Sequence, residues 1–161
     1  MSIQRLIWPL VALLFLGVAG LALYRAWPIL FPSLLASAPL DPACDLRQGP
    51  CASEIPGLGR FLFEIEPRHL PVAQPLRLQV RVEGVEPHAV EVDFVGVDMA
   101  MGFIRPRLQP AGAGRFAGET TLPVCVRARM DWEARVLVST DQGLLAAPFR
   151  FTSRAGGTAS P

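Results

Sequence analysis

The sequence predicts a mainly β protein, an immunoglobulin-like antiparallel β-sandwich that is preceded by a single N-terminal transmembrane helix. Three observations lead to this prediction. A long uncharged apolar run lies near the N-terminus, and about seven short segments of alternating apolar and polar residues follow it, with turn signals between them. None of these later segments shows the apolar period of a helix. Outside the apolar run and a proline-rich stretch, the 161-residue chain leaves about 100 residues, enough for one small domain.

The apolar run Leu6–Tyr24 holds no charged residue and is bracketed by Arg5 and Arg25. Its 19 residues (24 − 6 + 1) would span roughly 28 Å as a helix, close to the thickness of a bilayer's hydrocarbon core. Aromatic residues stand near both ends of the run, where the membrane interface favours them. We therefore expect residues 1–5 to form a short cytoplasmic tail and residues 6–25 to form a transmembrane anchor.

A cleaved signal peptide is the alternative to an anchor, since residues 36–38 (Ala-Ser-Ala) form a possible cleavage site. Two features oppose cleavage. The apolar run is longer than a usual signal core, and Ala38 lies 14 residues beyond Tyr24 (38 − 24). One Arg flanks each end of the run, so the positive-inside rule barely sets the orientation. We therefore expect the span to be retained, and the five-residue tail before it fits a signal-anchor whose domain is exported.

The three cysteines, Cys44, Cys51 and Cys125, all follow the apolar run, as expected for a domain in an oxidising compartment. Cys44 and Cys51 bracket a short polar turn, DLRQGP, which a disulfide can close. Three cysteines permit three single pairings, and a bridge from Cys125 to either of the others is an alternative. We predict the Cys44–Cys51 disulfide because the shortest loop costs the least entropy to close.

Six prolines punctuate residues 26–59, and we interpret this stretch as an extended neck that is not a folded unit. The folded domain is expected over residues 60–152, and the small polar residues 153–161 are expected to be disordered. Leu76–Glu83 alternates strictly between apolar and polar residues, which is typical of a half-buried strand. Trp132 alternates in the same way and is expected in the core. Further strands are expected over residues 61–66, 90–94, 114–122, 132–138 and 144–152, with a turn at 141–143. In the strand over residues 90–94, Glu91 and Asp93 are expected on the solvent face.

The composition and motifs exclude several functional classes. The formal net charge is +1, and no basic stripe predicts a nucleic-acid partner. His69 and His88 lie near prolines in predicted loops, without a Ser or Cys placed as a nucleophile, and no glycine-rich phosphate loop is present. We therefore expect a protein that is not an enzyme.

The segment Gly96–Leu108, GVDMAMGFIRPRL, is the unusual part of the domain. Met99 and Met101 are two residues apart, so both thioethers would project from one face of an extended chain. Cys125 and Met130 could complete a soft-ligand set, which Cu(I) prefers. The alternative is that the methionines fill gaps in the core.

Residues around the two methionines suggest an edge or a loop at one end of the domain. Asp98 and Gly102 flank them, and Gly102 permits a tight bend. Arg105 follows directly before a proline, which makes a central strand improbable. We take Asp98, Gly102 and Arg105 as candidate partner-binding residues and expect that Met99 and Met101 are not both buried.

Short motifs in the last two thirds of the chain carry a family resemblance, and they are LRLQVRV, Met101-Gly102, Arg105-Pro106, Gly114-x-Phe116, Leu122-Pro123, Trp132 and Pro148-Phe149-x-Phe151. With them the chain resembles the FixH-like and YtkA-like group of small membrane-anchored proteins. The resemblance implies a single-pass protein of the bacterial inner membrane with a periplasmic domain. It also implies an accessory role in assembly or copper supply of a respiratory oxidase. Many such domains carry His after the Met-Gly pair, where this chain has Phe103, and that departure weighs against a copper site.

Three functions follow from these observations. The first is the accessory role just described, with an oxidase subunit or a metal transporter as partner and Cu(I) as the ion. The second is a metal-free structural domain that docks on a membrane complex. The third, a thiol-redox factor using Cys44 and Cys51, is disfavoured because the pair lacks the C-x-x-C spacing and no βαβ pattern surrounds it.

The predicted topology can be tested with a reporter. Alkaline phosphatase fused after Thr152 should be active, because the reporter requires an oxidising compartment. An inactive fusion would contradict export of the domain, and a mature protein that begins at Pro39 would contradict retention of the span.

Overall fold

The computed structural model describes residues 4–30, 34–124 and 129–154. The chain divides into two compact units, Met1–Ser33 and Leu34–Pro161. The described part of the first unit is the helix α1 (Gln4–Leu30), whose Leu- and Ala-rich sequence favours a helix. Among the described residues, no helix was found that is long and apolar enough to cross a membrane.

The described part of the second unit, here called the sheet unit, is a single curved sheet. The strands follow the order β1-β9-β8-β5-β6-β7-β4-β3-β2, and β2 comes back toward β9, so the nine-stranded sheet is nearly closed as a barrel. A mainly β chain is therefore confirmed. The strands are β1 (Leu34–Ser37), β2 (Cys51–Ile55), β3 (Gly59–Glu66), β4 (Pro75–Glu83), β5 (Ala89–Gly96), β6 (Arg107–Pro110), β7 (Arg115–Thr121), β8 (Arg129–Thr140) and β9 (Gly143–Arg154).

Neighbouring strands run antiparallel, except that β1 runs parallel to β9 with Leu34 beside Leu144. The short strand β6 joins the two halves of the sheet, because it pairs with β5 on one side and with β7 on the other. The β8–β9 hairpin is the longest pairing and extends from Arg129 opposite Arg154 to Thr140 opposite Gly143. The two halves thus form one continuous hydrogen-bonded surface.

The period-two pattern of the sequence produces the core. Along β4 every second side chain is buried, as predicted, and the same holds along β8. Phe63 on β3 and Phe149 on β9 lie near opposite ends of the strand order, yet their ring centroids are 5.3 Å apart. The inner faces of the two halves therefore pack against each other and form one apolar cluster.

Trp132 is fully buried, which confirms its predicted place in the core. Its indole Nε1–H donates to Ser153 Oγ at 2.9 Å, and Ser153 is itself buried. Ser153 and Arg154 belong to β9, so the prediction that disorder begins at residue 153 is wrong at these two positions. The predicted disordered residues 155–161 lie outside the described residues.

The stretch that we interpreted as an extended neck contributes two strands to the sheet. β1 and β2 both lie within residues 26–59, and Ala38 and Leu46 between them are buried, so the folded unit begins before residue 60. The prolines of the neck did not prevent this, because those beyond Leu34 fall between the strands, where proline interrupts no ladder. β6 was also not predicted as a strand.

The cross-core aromatic contact gives a stability prediction. Phe63→Ala should lower the free energy of unfolding by about 3–5 kcal/mol, since it removes a fully buried ring from the centre of the core. Phe103→Ala is the control, because Phe103 is 78% exposed, and it should change the free energy by less than about 1 kcal/mol. Denaturant unfolding of the full chain, followed by circular dichroism, measures both. Equal effects would contradict the cross-core packing.

Candidate functional site

Residues 97–106, here called the Met loop, connect β5 to β6. Three backbone hydrogen bonds fix its two ends. The amide of Val97 donates to the Asp131 carbonyl at 2.9 Å, and the amides of Phe94 and Val92 donate to the carbonyls of Ile104 (2.9 Å) and Pro106 (3.1 Å). The loop therefore begins beside β8, returns beside β5, and leaves its middle to fold back over the end of β5.

The middle of the Met loop meets β8 at Gly96, the last residue of β5. A Cβ atom placed on Gly96 would overlap the Met99 carbonyl oxygen and the Met130 Cε, and it would lie 3.2 Å from Met101 Cγ. Because glycine has no side chain, the space beside its Cα is free for these groups. The fold thus brings together three of the four residues that the sequence proposed as soft ligands, Met99, Met101 and Met130. The fourth, Cys125, lies outside the described residues.

The three methionines differ in burial. Met130 is 4% exposed and belongs to the core, whereas Met99 and Met101 are half-buried against it. This agrees with the expectation that Met99 and Met101 are not both buried. The arrangement places one enclosed thioether behind two partly accessible side chains, which is suited either to a soft metal ion or to an adaptable contact with a partner.

Harder metal ligands were also sought in the part of the chain that the structure describes. Among the described residues, no group of three or more His, Cys, Asp and Glu side chains could hold a metal ion. His88 Nε2 lies 2.6 Å from Asp141 Oδ1, beside the turn at the other end of the β8–β9 hairpin.

The candidate partner-binding residues Asp98, Gly102 and Arg105 all lie on the Met loop and are exposed. Gly102 has a φ of 85°, in the left-handed region that favours glycine, so the bend predicted from its identity is present. The Arg105 guanidinium donates to Asp93 Oδ2 at 3.1 Å and lies 4.9 Å from the centre of the Phe103 ring.

Sequence reasoning missed three residues of this region, Asp93, Gly96 and Phe103. The alternation of β5 placed Asp93 on the solvent face, but it is only 9% exposed because Arg105 reaches over from the Met loop and pairs with it. The close approach at Gly96 depends on β8, which is remote in sequence. Phe103 could have been noticed in the sequence, because an aromatic residue directly after Gly102 in a predicted loop is a candidate for an exposed contact.

The predicted Cys44–Cys51 disulfide is present, with a Cα–Cα distance of 5.7 Å. Leu46, inside the closed turn, is fully buried and fastens the turn to the core. A groove of about 340 Å³ lies between this turn, the start of the Met loop at Val97, and the adjoining ends of β8 and β9. Arg47 pairs with Asp45 in the turn, so the charged lining of the groove is partly neutralised from within.

Ion pairs cover the outer face of β8 and β9 beside the groove. The Thr152 hydroxyl donates to Asp131 at 2.6 Å and, with Arg129, holds the pKa of Asp131 below its usual range. For Glu133, burial alone would raise the pKa, but hydrogen bonds from Arg135 (2.7 Å) and Arg150 (3.2 Å) outweigh it and lower the pKa. These carboxylates are therefore charged at neutral pH and bind arginines.

Glu133 gives a prediction for acid stability. Its pKa in the folded chain lies below the ordinary value of 4.5, so its stabilising effect is complete above pH 4.5 and is lost as the pH falls through the folded pKa. Glu133→Gln should therefore lower the free energy of unfolding at pH 7 and flatten its decrease between pH 5 and pH 3. Glu86→Gln, at an exposed position, is the control. Denaturant unfolding across this range measures the effect, and an unchanged acid slope in the Glu133 variant would contradict it.

Comparison with known proteins did not identify a family for the chain. No family model, no curated protein and no solved structure matches the chain. The likeness to the FixH-like and YtkA-like group stays a prediction from the short motifs described above. A function for the Met loop is therefore argued from its residues and contacts.

Proposed function

We propose that the chain is a membrane-anchored accessory protein that assists the assembly or copper supply of a respiratory oxidase or a related membrane complex. Its sheet unit would lie in the periplasm, and its N-terminal helix would hold it in the bacterial inner membrane. The uncharged run Leu6–Tyr24 supports the anchor, since it lies within α1 and its described apolar side chains are exposed. The disulfide supports an oxidising compartment.

An immunoglobulin-like sandwich is the finer description that we propose for the sheet unit. The packing of Phe63 against Phe149 across the core supports two facing layers. In this chain, such a sandwich would also have a parallel β1–β9 pairing, and β6 would connect its two layers into one continuous sheet. Loops at one end of such a sandwich commonly carry the binding residues, as we propose for the Met loop.

The observation that carries the proposal is the convergence of the Met101 and Met130 side chains on Gly96, beside the backbone carbonyl of Met99. Thioether sulfur is a soft ligand that selects Cu(I) over the harder divalent ions. Met101 and Met130 are the side chains best placed to hold such an ion, because both reach the same point above Gly96. The partial exposure of Met101 would allow an ion to be passed to or received from a partner.

A metal-free docking domain is the second candidate. The burial of Met130 favours it, because a thioether in the core also serves simply to fill space. Phe103 favours it as well, because many domains of the group that the chain resembles carry His at that position. Under this alternative the Met loop contacts the same membrane complex, and its methionines adapt to the shape of the partner.

Replacing both Met99 and Met101 by Leu separates these candidates. The swap nearly conserves volume, so the free energy of unfolding should change by less than about 1.5 kcal/mol. The affinity of the full chain for Cu(I) should fall at least about tenfold, which corresponds to about 1.4 kcal/mol. Competition with a chromogenic Cu(I) chelator under reducing conditions, in detergent, measures the affinity.

Ile104→Leu is the matched control, since it is a conservative change in the same loop that removes no sulfur. It should leave the Cu(I) affinity unchanged. The copper role would be contradicted if the wild-type chain bound no Cu(I) and the double variant still co-purified with its oxidase partner. The metal-free alternative would then stand.

A further inference from the structure

Phe103 is the most exposed large apolar side chain among those described in the sheet unit, at 78%. A single exposed apolar residue needs no explanation, but Phe103 does not stand alone. Val97, also exposed, lies on the same loop, and the half-buried Met99 and Met101 lie between the two in sequence. Phenylalanine, methionine and arginine are residues enriched at the centres of protein interfaces.

The Phe103 ring is held in place by its neighbours. The Arg105 guanidinium lies over the ring at 4.9 Å, and Asp93, which is buried, fixes that guanidinium through a 3.1 Å hydrogen bond. Between them, the carbonyl of Ile104 accepts the amide of Phe94 and so fastens the loop backbone to β5. An exposed aromatic that is oriented before binding loses less conformational freedom when a partner covers it.

The position of the Met loop within the sheet unit favours a protein partner over lipid. The described sheet unit begins with β1, where Leu34 lies beside Leu144 of β9. The Met loop lies at the other end of β9, because Val97 bonds to Asp131 and Asp131 is opposite Thr152. The eight residue-to-residue steps from 144 to 152 (152 − 144) correspond to roughly 26 Å along a strand. The loop is therefore presented at the end opposite to β1.

We propose that Phe103, held by Arg105 and Asp93, is the aromatic anchor with which the Met loop enters an apolar pocket on a protein partner. The rim of that pocket would carry carboxylate or carbonyl oxygens. Covering the ring also removes the Arg105 guanidinium from water, so its N–H groups that do not reach Asp93 require acceptors. Arg107, exposed on β6 just beyond the loop, lies opposite Glu91 of β5, so Arg105 is the cation for which the partner would supply oxygens. This inference rests on the proposed docking function and names the chemistry of its partner.

Site-specific photocrosslinking in native membranes tests the inference. A photoreactive benzoylphenylalanine replaces Phe103 in the full chain, and the same residue at Gln142, in the exposed β8–β9 turn, is the control. We expect position 103 to give a protein adduct in at least tenfold higher yield than position 142. The adduct should contain a subunit that co-purifies with the wild-type chain. Lipid adducts only, no adduct, or equal yields from both positions would overturn the inference.

A second variant tests the role of the Asp93 support. Asp93→Asn should lower the yield from position 103 severalfold because Arg105 is no longer held by a charge, whereas Glu91→Gln on the same strand should not. An unchanged yield with Asp93→Asn overturns that role.

Phe103→Ser separates this inference from the proposed function. It should reduce co-purification of the partner at least tenfold. If it keeps the partner while the double Met99 and Met101 variant loses it, the aromatic anchor is wrong and the proposed function stands.

Discussion

The contact between Phe63 and Phe149 results from the burial of the apolar faces of the strands, on which the rest of the sheet unit depends. The longer strands each present one apolar face, and together these faces form an apolar surface too large to leave in water. The sheet buries this surface by curving until its two halves meet, so residues distant in the strand order become neighbours. Within one half, the antiparallel pairing of β5 with β8 brings the start of β8 beside the end of β5, where the Met loop lies.

The sequence predicted those elements whose pattern is local. Leu76–Glu83 alternates so regularly that the burial of β4 could be read directly from it, and the short loop between Cys44 and Cys51 made their disulfide the easiest to close. β1 could not be recognised in this way, because its four residues are ordered by parallel pairing with β9, more than a hundred residues later (144 − 34 = 110). β2 was missed because prolines stand directly before and after it, so the whole stretch was interpreted as irregular although no proline lies within the strand.

The candidate site shows the same division between local and remote information. The spacing of Met99 and Met101 was visible in the sequence, and so was the bend at Gly102. Their meeting with Met130 required the β5–β8 pairing, and the importance of Gly96 followed only from that approach. Asp93 was assigned to solvent because a strand pattern does not reveal which side chain from a distant loop will cover it. Sequence thus supplied the chemistry of the site, and the fold supplied its assembly.

The central claim is that thioethers from the Met loop and from β8 form one site. The most direct test is nuclear magnetic resonance of the full chain in detergent, with carbon-13 in the methionine methyl groups, during titration with Cu(I) under reducing conditions. The chain has four methionines, and Met1 lies outside the cluster in sequence, so it serves as an internal reference. We expect the Met101 and Met130 methyl signals to shift together with the first equivalent of Cu(I), while Met1 stays unchanged. Shifts at Met1 alone, or at neither Met101 nor Met130, would contradict the claim.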